Sequence, residues 1–324
     1  MRRSSLIIVL SASAAIVLAI GLVASRSGAQ GGTPAPEMTP GAVAGQSTEP
    51  LAIGLFEQVP TPPVVFDLSR ATFPPGASTP PGPDAGPSLT YMVAGQLRFL
   101  LDGPAMVTRL GVGPQSATAD EIVEAGNWIV IPAGTGFQAI NEGSEDAIAL
   151  VTRLMPLPST EKGTPNPEAV TPSPAMEATP PTASPIAATP ALVFEPLAGG
   201  VLTALPPAPL AVALSRLTFD PGAGDPMPSQ NPGPLIGYVE RGQIGYTLAS
   251  GAAVIGRSGV PGITAATAGT EVTFDAGEWL FEQAGTASQG RNPGEIPASI
   301  LLVVLAQPEA FLGIQPAASP ASSP

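Results

Sequence analysis

The chain has 324 residues, a formal net charge of −13 and only 11% charged residues, with Lys162 as its single lysine, and it contains neither cysteine nor histidine. Those two absences exclude disulfides, thiolate nucleophiles and lipidation cysteines, a Ser-His-Asp triad or Cys-His dyad, and any metal site ligated by His or Cys. The acidic balance excludes the basic footprint that sequence-independent nucleic-acid binding requires.

The chain opens on Met1-Arg2-Arg3, followed by an uncharged run from Leu6 to Ala24 and small residues at Ser27-Gly28-Ala29-Gln30. A cleaved signal carries an apolar region of about 7–15 residues and a spanning helix needs about 20. Residues 1–30 therefore fit either a signal peptide cut after Ala29 or an apolar helix retained as a membrane anchor. Both place the rest of the chain outside the cytoplasm, with Arg2 and Arg3 inside.

Residues 31–49 are rich in Gly, Pro, Ala and Thr, and residues 157–192 include TPSPAMEATPPTASPIAATP. Both lack the apolar density to fold and read as disordered spacers, and the tail 309–324 reads likewise. The 42 prolines and 37 glycines of the chain belong mainly to such spacers and to turns.

Between the spacers lie two blocks, 50–156 and 193–308, which repeat each other. LSRATFPPGA at 68–77 matches LSRLTFDPGA at 214–223, and Tyr91 matches Tyr238 and Gly126 matches Gly277 further on. Such a repeat marks a duplicated domain. Short β-branched runs such as AIALVTRL (147–154) and SILLVVL (299–305), with turn residues at close intervals, predict antiparallel strands closing over one core per block.

Two spaced motifs recur in the blocks. The first runs from Gly76 to Gly95 and from Gly222 to Gly242. The second contains Gly126, Pro132, Gly134 and Asn141 in block one, and Gly277, Gly285 and Asn292 in block two, where Gln283 replaces the proline. This frame resembles the cupin family, and its duplication resembles a bicupin. The resemblance implies an all-β chain: two double-stranded β-helix (jelly-roll) barrels joined by a proline-rich linker, behind the N-terminal apolar helix. It also implies four metal-ligand positions per barrel. Gly82, Asp84, Ser88 and Phe137 occupy them in block one, and Pro228, Gln230, Leu235 and Ser288 in block two. Only Asp84 is a charged ligand, so no metal and no cofactor is expected.

The frame that survives is turn chemistry, in which glycine, proline and asparagine supply conformations other residues resist. The expected pocket lining is Asp84, Tyr91, Phe137, Gln230, Leu235, Tyr238 and Ser288. Trp128 and Trp279 read as duplicated core aromatics. Asp120, Glu121, Glu124, Glu142, Glu145 and Asp146 lack calcium-loop spacing and read as solvated loop charge. Glu282 and Arg291 flank the second motif at a distance that allows them to pair. The reading is an exported, metal-free bicupin with no catalytic residue, binding a small ligand or serving structurally. Two alternatives stand beside it. One is a metal-independent isomerase or epimerase acting on a sugar or small acid, with Asp84, Tyr91, Tyr238 and Glu240 as its acid–base candidates. The other is a cell-surface module that pairs its barrels, as a homodimer or as a pseudo-dimer within one chain.

Overall fold

The computed structural model describes residues 44–157 and 191–311. The apolar N-terminal segment, most of both spacers and most of the tail lie outside the described residues. In block one the strands are β1 (Gln46–Phe56), β2 (Val64–Phe73), β3 (Gly82–Pro83), β4 (Ser88–Ala94), β5 (Gln96–Asp102), β6 (Ala105–Arg109), β7 (Gly113–Ala117), β8 (Asp120–Glu124), β9 (Trp128–Ile131), β10 (Gly136–Ile140) and β11 (Ala147–Pro156). Block two repeats them as β12 (Val193–Leu202), β13 (Leu210–Phe219), β14 (Ser229–Gln230), β15 (Leu235–Arg241), β16 (Gln243–Ser250), β17 (Ala253–Gly256), β18 (Ile263–Ala265), β19 (Glu271–Asp275), β20 (Trp279–Glu282), β21 (Ala287–Arg291) and β22 (Ala298–Ala306). A single helical turn, α1 (Pro308–Phe311), follows where the tail was expected to be without structure.

Each block forms a seven-stranded sheet facing a four-stranded one, and the chain alternates between them. In block one β2, β4, β6, β7, β9 and β11 lie in the large sheet and β3, β5, β8 and β10 in the small one. Block two follows the same path. Only the β6–β7 hairpin stays within one sheet, and alternation of this kind winds two antiparallel ladders into one flattened barrel.

The first strand of each block crosses to the other. β1 pairs with β13 of block two, and β12 pairs with β2 of block one. Residues 46–49, expected in the spacer, are therefore strand. Their polar sequence carries no strand signal, and the β13 edge imposes the conformation. A second repeat accompanies the exchange: EPLA at 49–52 recurs at 195–198, and in both copies the register shifts across the Pro-Leu-Ala step. Glu49 faces Arg216 at 2.9 Å and Glu195 faces Arg70 at 3.0 Å. These arginines sit at the same place in the repeated LSR-x-TF stretch, so that repeat marks where a strand from the other block docks.

Three cores result. Phe73, Met92, Phe99, Ile129 and Ile131 fill barrel one, and Phe219, Ile244, Tyr246, Phe274 and Leu280 fill barrel two. The third core lies between the two large sheets and joins Phe56, Phe66, Leu89, Trp128 and Val130 to Leu210, Ile236, Tyr238, Phe281 and Leu301. The stretch WIVI at 128–131 supplies two cores at once, with Trp128 and Val130 on the seam and Ile129 and Ile131 inside the barrel, as the two-residue period of a strand requires. Each fully buried apolar side chain contributes about 1.5–3 kcal/mol, whereas an exposed cross-strand ion pair contributes about 0.2–1 kcal/mol. Apolar packing therefore holds the seam, and the Glu–Arg pairs set its register.

Candidate functional site

Barrel one contains a cavity of about 340 Å³. Phe73, Phe99, Phe137 and Phe194 supply phenyl rings, Ser88 and Thr90 supply hydroxyls, and Asp84 and Arg153 are its ionisable groups. Gly82, Asp84, Ser88 and Phe137 all line it, so the four expected positions of block one do converge. Phe137 pairs with Gly82 across β10 and β3 and stacks at a tilt on Phe99, with ring centroids 6.3 Å apart. Asp84 is fixed through its backbone, because its carbonyl accepts the Gly134 N–H at 3.0 Å. The Pro132–Gly134 turn of the second motif therefore positions the carboxyl supplied by the first.

The charges of this cavity are unequal partners. Arg153 donates to Asp67 through Nε at 3.2 Å and through Nη2 at 2.8 Å, a bidentate pair that offsets its charge. Among the described residues no side chain hydrogen-bonds to the Asp84 carboxyl. Burial pushes that carboxyl above its usual range, the positive charge of Arg153 pulls it partly back, and Asp67 pushes it up again. Asp84 is thus half-buried in the cavity wall. Phe194 was not foreseen at all. It comes from the exchanged strand β12, lies 45% exposed, and has the Arg153 guanidinium 5.9 Å from its ring centre. The signal that would have found it is the EPLA repeat, which ties β12 to block one.

Barrel two departs from the expected set by one residue. Phe137 pairs with Gly82 in block one, and its counterpart Ser288 pairs with Ser229 in block two. Gly86 and Gly233 each press on a carbonyl of the last strand, of Leu154 and of Leu305. The single inserted residue therefore falls before Ser229, and the counterparts of Gly82 and Asp84 are Ser229 and Asn231, in place of Pro228 and Gln230. A one-residue slip turns a side chain to the opposite face. Pro228 and Gln230 are accordingly exposed, and Gln230 donates to the Gly285 carbonyl at 3.3 Å outside the barrel. Leu235 is buried in the barrel-two core.

The interior of barrel two holds a polar cluster instead. Glu282, only 1% exposed, stands where barrel one has Ile131, and Tyr246 stands where it has Phe99. Asn231 donates to the Glu282 carboxyl, and the Ser288 hydroxyl lies beside it. The Tyr246 hydroxyl is buried without a well-angled hydrogen bond, although Glu282 and Ser288 are its polar neighbours. Burial raises the Glu282 carboxyl, against the opposing pull of Tyr246, Ser288 and Asn231. Glu282 and Arg291 do not pair: Arg291 binds Glu271 at 2.5 Å, on the outer face.

The turn frames of the two barrels match in detail. Gly76, Gly95, Gly126 and Gly134 have φ of 78°, 68°, 82° and 78°, and their counterparts Gly222, Gly242, Gly277 and Gly285 have 76°, 73°, 88° and 77°. These left-handed values explain why glycine survives at each position. Asn141 and Asn292 are buried, and each makes the same three bonds. Asn141 Nδ2 donates to the Phe73 and Glu145 carbonyls and its Oδ1 accepts from Gly143 N. Asn292 does so with Phe219, Ile296 and Gly294. Two alternating barrels on one turn frame decide the fold. The fold is that of a bicupin.

No protein-family model and no curated protein matches the chain. Solved structures with which it aligns include a cupin 2 conserved barrel domain protein from Leptotrichia buccalis, at 11% identity and a TM-score of 0.33, over 83% of this chain and 99% of that one. A variant of oxalate decarboxylase from Bacillus subtilis aligns at 13% identity and a TM-score of 0.39, over 90% of each chain. A formate complex of oxalate decarboxylase from Lactobacillus farciminis aligns at 13% identity and a TM-score of 0.38, over 77% of this chain and 82% of that one. The bicupin fold rests on the strand path and the turn frames, which these superpositions accompany.

The donor set of neither barrel suits a transition metal. Barrel one offers Asp84, with the nearby Asp67 already held by Arg153, and barrel two offers Glu282 with neutral Asn231 and Ser288. Among the described residues no three His, Cys, Asp or Glu gather into a possible ion site. Three of the six acids that flank the second motif pair with arginine. Arg98 bridges Asp120 at 2.5 Å and Glu142 at 2.7 Å, and Arg109 holds Glu121 at 2.8 Å.

The two expected pocket tyrosines are corrected by the structure. Tyr91 packs against the seam core and Tyr238 belongs to it, because their strands alternate them away from the barrel interiors. Burial raises the Tyr91 hydroxyl, Glu49 adds to the rise and Arg216 opposes it. Trp128 and Trp279 are seam aromatics, and Trp128 Nε1 donates to the Ile53 carbonyl of β1 at 2.7 Å. Glu240 pairs with Arg216 at 2.6 Å.

Proposed function

We propose that this bicupin is an exported, metal-free, non-catalytic binding protein. Its barrel one takes one small, largely apolar ligand, and its barrel two is a structural partner. The observation that carries the reading is the open cavity of barrel one, about 340 Å³ with four phenyl rings in its wall. Small-molecule sites have this character: concave, apolar, with a few polar groups that orient the ligand. Acid–base catalysis is less well supported. Of the four candidate groups only Asp84 lines the cavity, while Tyr91 and Tyr238 face the seam and Glu240 is held by Arg216. Export rests on the uncharged Leu6–Ala24 run behind two arginines and on the spacer composition. No helix among the described residues is long and apolar enough to cross a membrane. The exchanged strands and the shared seam core support reading the chain as its own pseudo-dimer.

The test is thermal denaturation with a neutral one-ring probe, benzyl alcohol, on the wild type, on Phe137→Trp, which fills the cavity, and on Phe194→Ala, which removes an exposed wall without touching a barrel core. A ligand that binds only the native state raises the transition temperature. The reading expects a dose-dependent rise in the wild type and a reduced one in both variants. No rise in the wild type, or an equal rise in all three, contradicts it.

A further inference from the structure

The cavity of barrel one is electrically lopsided, and that imbalance points to a class of ligand. Arg153 is engaged by Asp67 in a bidentate pair whose charges cancel, so that with Asp84 the three groups carry one net negative charge. Asp84 reaches the same cavity with no side-chain hydrogen bond among the described residues, and the rest of the wall is phenyl, aliphatic, hydroxyl and proline. An anionic ligand would have to displace Asp67 from Arg153 and would meet the Asp84 charge. A neutral ligand would leave the carboxyl half-buried and without a partner, at the cost that such burial carries.

We propose that the barrel-one cavity selects a small arylalkyl ammonium ion, with the amine against the Asp84 carboxyl and the aromatic body among Phe73, Phe99, Phe137 and Phe194. The proposal rests on the ligand-binding reading given above. Three features fit this ligand. A primary ammonium supplies donors to a carboxyl that has none, and charge-assisted hydrogen bonds of this type are the strong ones. Phenyl faces beside an ammonium add a cation–π attraction, which the Arg153 guanidinium already makes with Phe194 at 5.9 Å. The net charge of −13 favours the approach of cations over anions.

The consequence differs between the barrels. In barrel two the counterpart of Asp84 is Asn231, whose amide already serves Glu282, and Tyr246 and Ser288 stand where barrel one has Phe99 and Phe137. The carboxyl there is satisfied from within the protein, so selection of an amine belongs to barrel one alone.

The experiment measures dissociation constants for benzylamine, benzyl alcohol and benzoate near neutral pH, by ligand-observed NMR, for the wild type and for Asp84→Asn. The expected result is that benzylamine binds about tenfold more tightly than benzyl alcohol. Benzoate is expected to bind weakest, and Asp84→Asn to remove the preference for the amine over benzyl alcohol. The thermal transition of the unliganded variant serves as the check that it is folded. If benzyl alcohol or benzoate binds as tightly as the amine, or if the preference survives Asp84→Asn, the ammonium assignment is overturned and the cavity reading stands. If none of the three binds, the cavity reading falls and the assignment falls with it.

Discussion

The seam packing of the exchanged strands can be tested at Gly200, on β12. A Cβ added there would lie 2.5 Å from Phe281 Cδ1, 2.6 Å from Cγ and 2.7 Å from Cε1. Carbon atoms attract best at about 3.5–4.0 Å, and Phe281 is fully buried in the seam core, where the ring has nowhere to go. Two effects then compete in Gly200→Ala. Replacing glycine within a strand relieves an entropic cost of about 0.5–1 kcal/mol. Overpacking a filled core costs about 1–3 kcal/mol. The second wins, for a net destabilisation of about 1–2 kcal/mol. For a protein of this size each kcal/mol moves the transition by about 2–4 °C, so a fall of about 2–8 °C is expected in scanning calorimetry. Gly54→Ala on β1 should behave alike, since its added Cβ would lie 2.5 Å from Val130 Cγ2. An unchanged or raised transition temperature in both variants would refute the argument. It would mean that β12 does not pack on β20, nor β1 on β9, across the seam.

Two further outcomes follow from the same structure. A protease site placed within residues 158–190 should allow the linker to be cut while the two halves still co-elute under native conditions. Separation on cutting would contradict the shared seam. Glu282→Gln should be more stable than the wild type at about pH 8, with the difference closing on acidification. Burial raises the folded-state carboxyl above its usual range, so the stability of the protonated form is fully present below the unfolded-state value and is lost as pH rises through the folded one. One such group changes stability by up to about 1.4 kcal/mol per pH unit in that window. Urea denaturation across pH reads the gap, and a gap independent of pH would show that Glu282 is not the buried acid described.

The barrels were legible in the sequence because turns are written in single residues. Gly76, Gly95, Gly126 and Gly134 need left-handed backbone, and Asn141 closes a turn with its own side chain, so spacing alone carried them. Block one's cavity positions were legible for the same reason. The exchange was not read, because pairing between distant strands leaves no local trace in a polar segment such as Gln46–Glu49. Its only trace is the EPLA repeat, set against the arginine of LSR-x-TF. The faces of Tyr91 and Tyr238 were misjudged because a strand alternation can be counted from either side, and the existence of a seam decides which side is the barrel. In block two, one inserted residue ahead of Ser229 hid Asn231 behind Gln230. Glu282 was visible, but its neighbours Tyr246 and Asn231 come from strands that only the closed barrel brings together.

The central proposal is that, of the two described barrels, barrel one takes the ligand. The most direct measurement is a crystal of the full chain soaked with 4-bromobenzyl alcohol, with the bromine located by anomalous scattering. The account predicts one bromine site per chain among Phe99, Phe137 and Phe194, absent in Phe137→Trp. A bromine in barrel two beside Glu282 and Tyr246, or none inside either barrel, would contradict it.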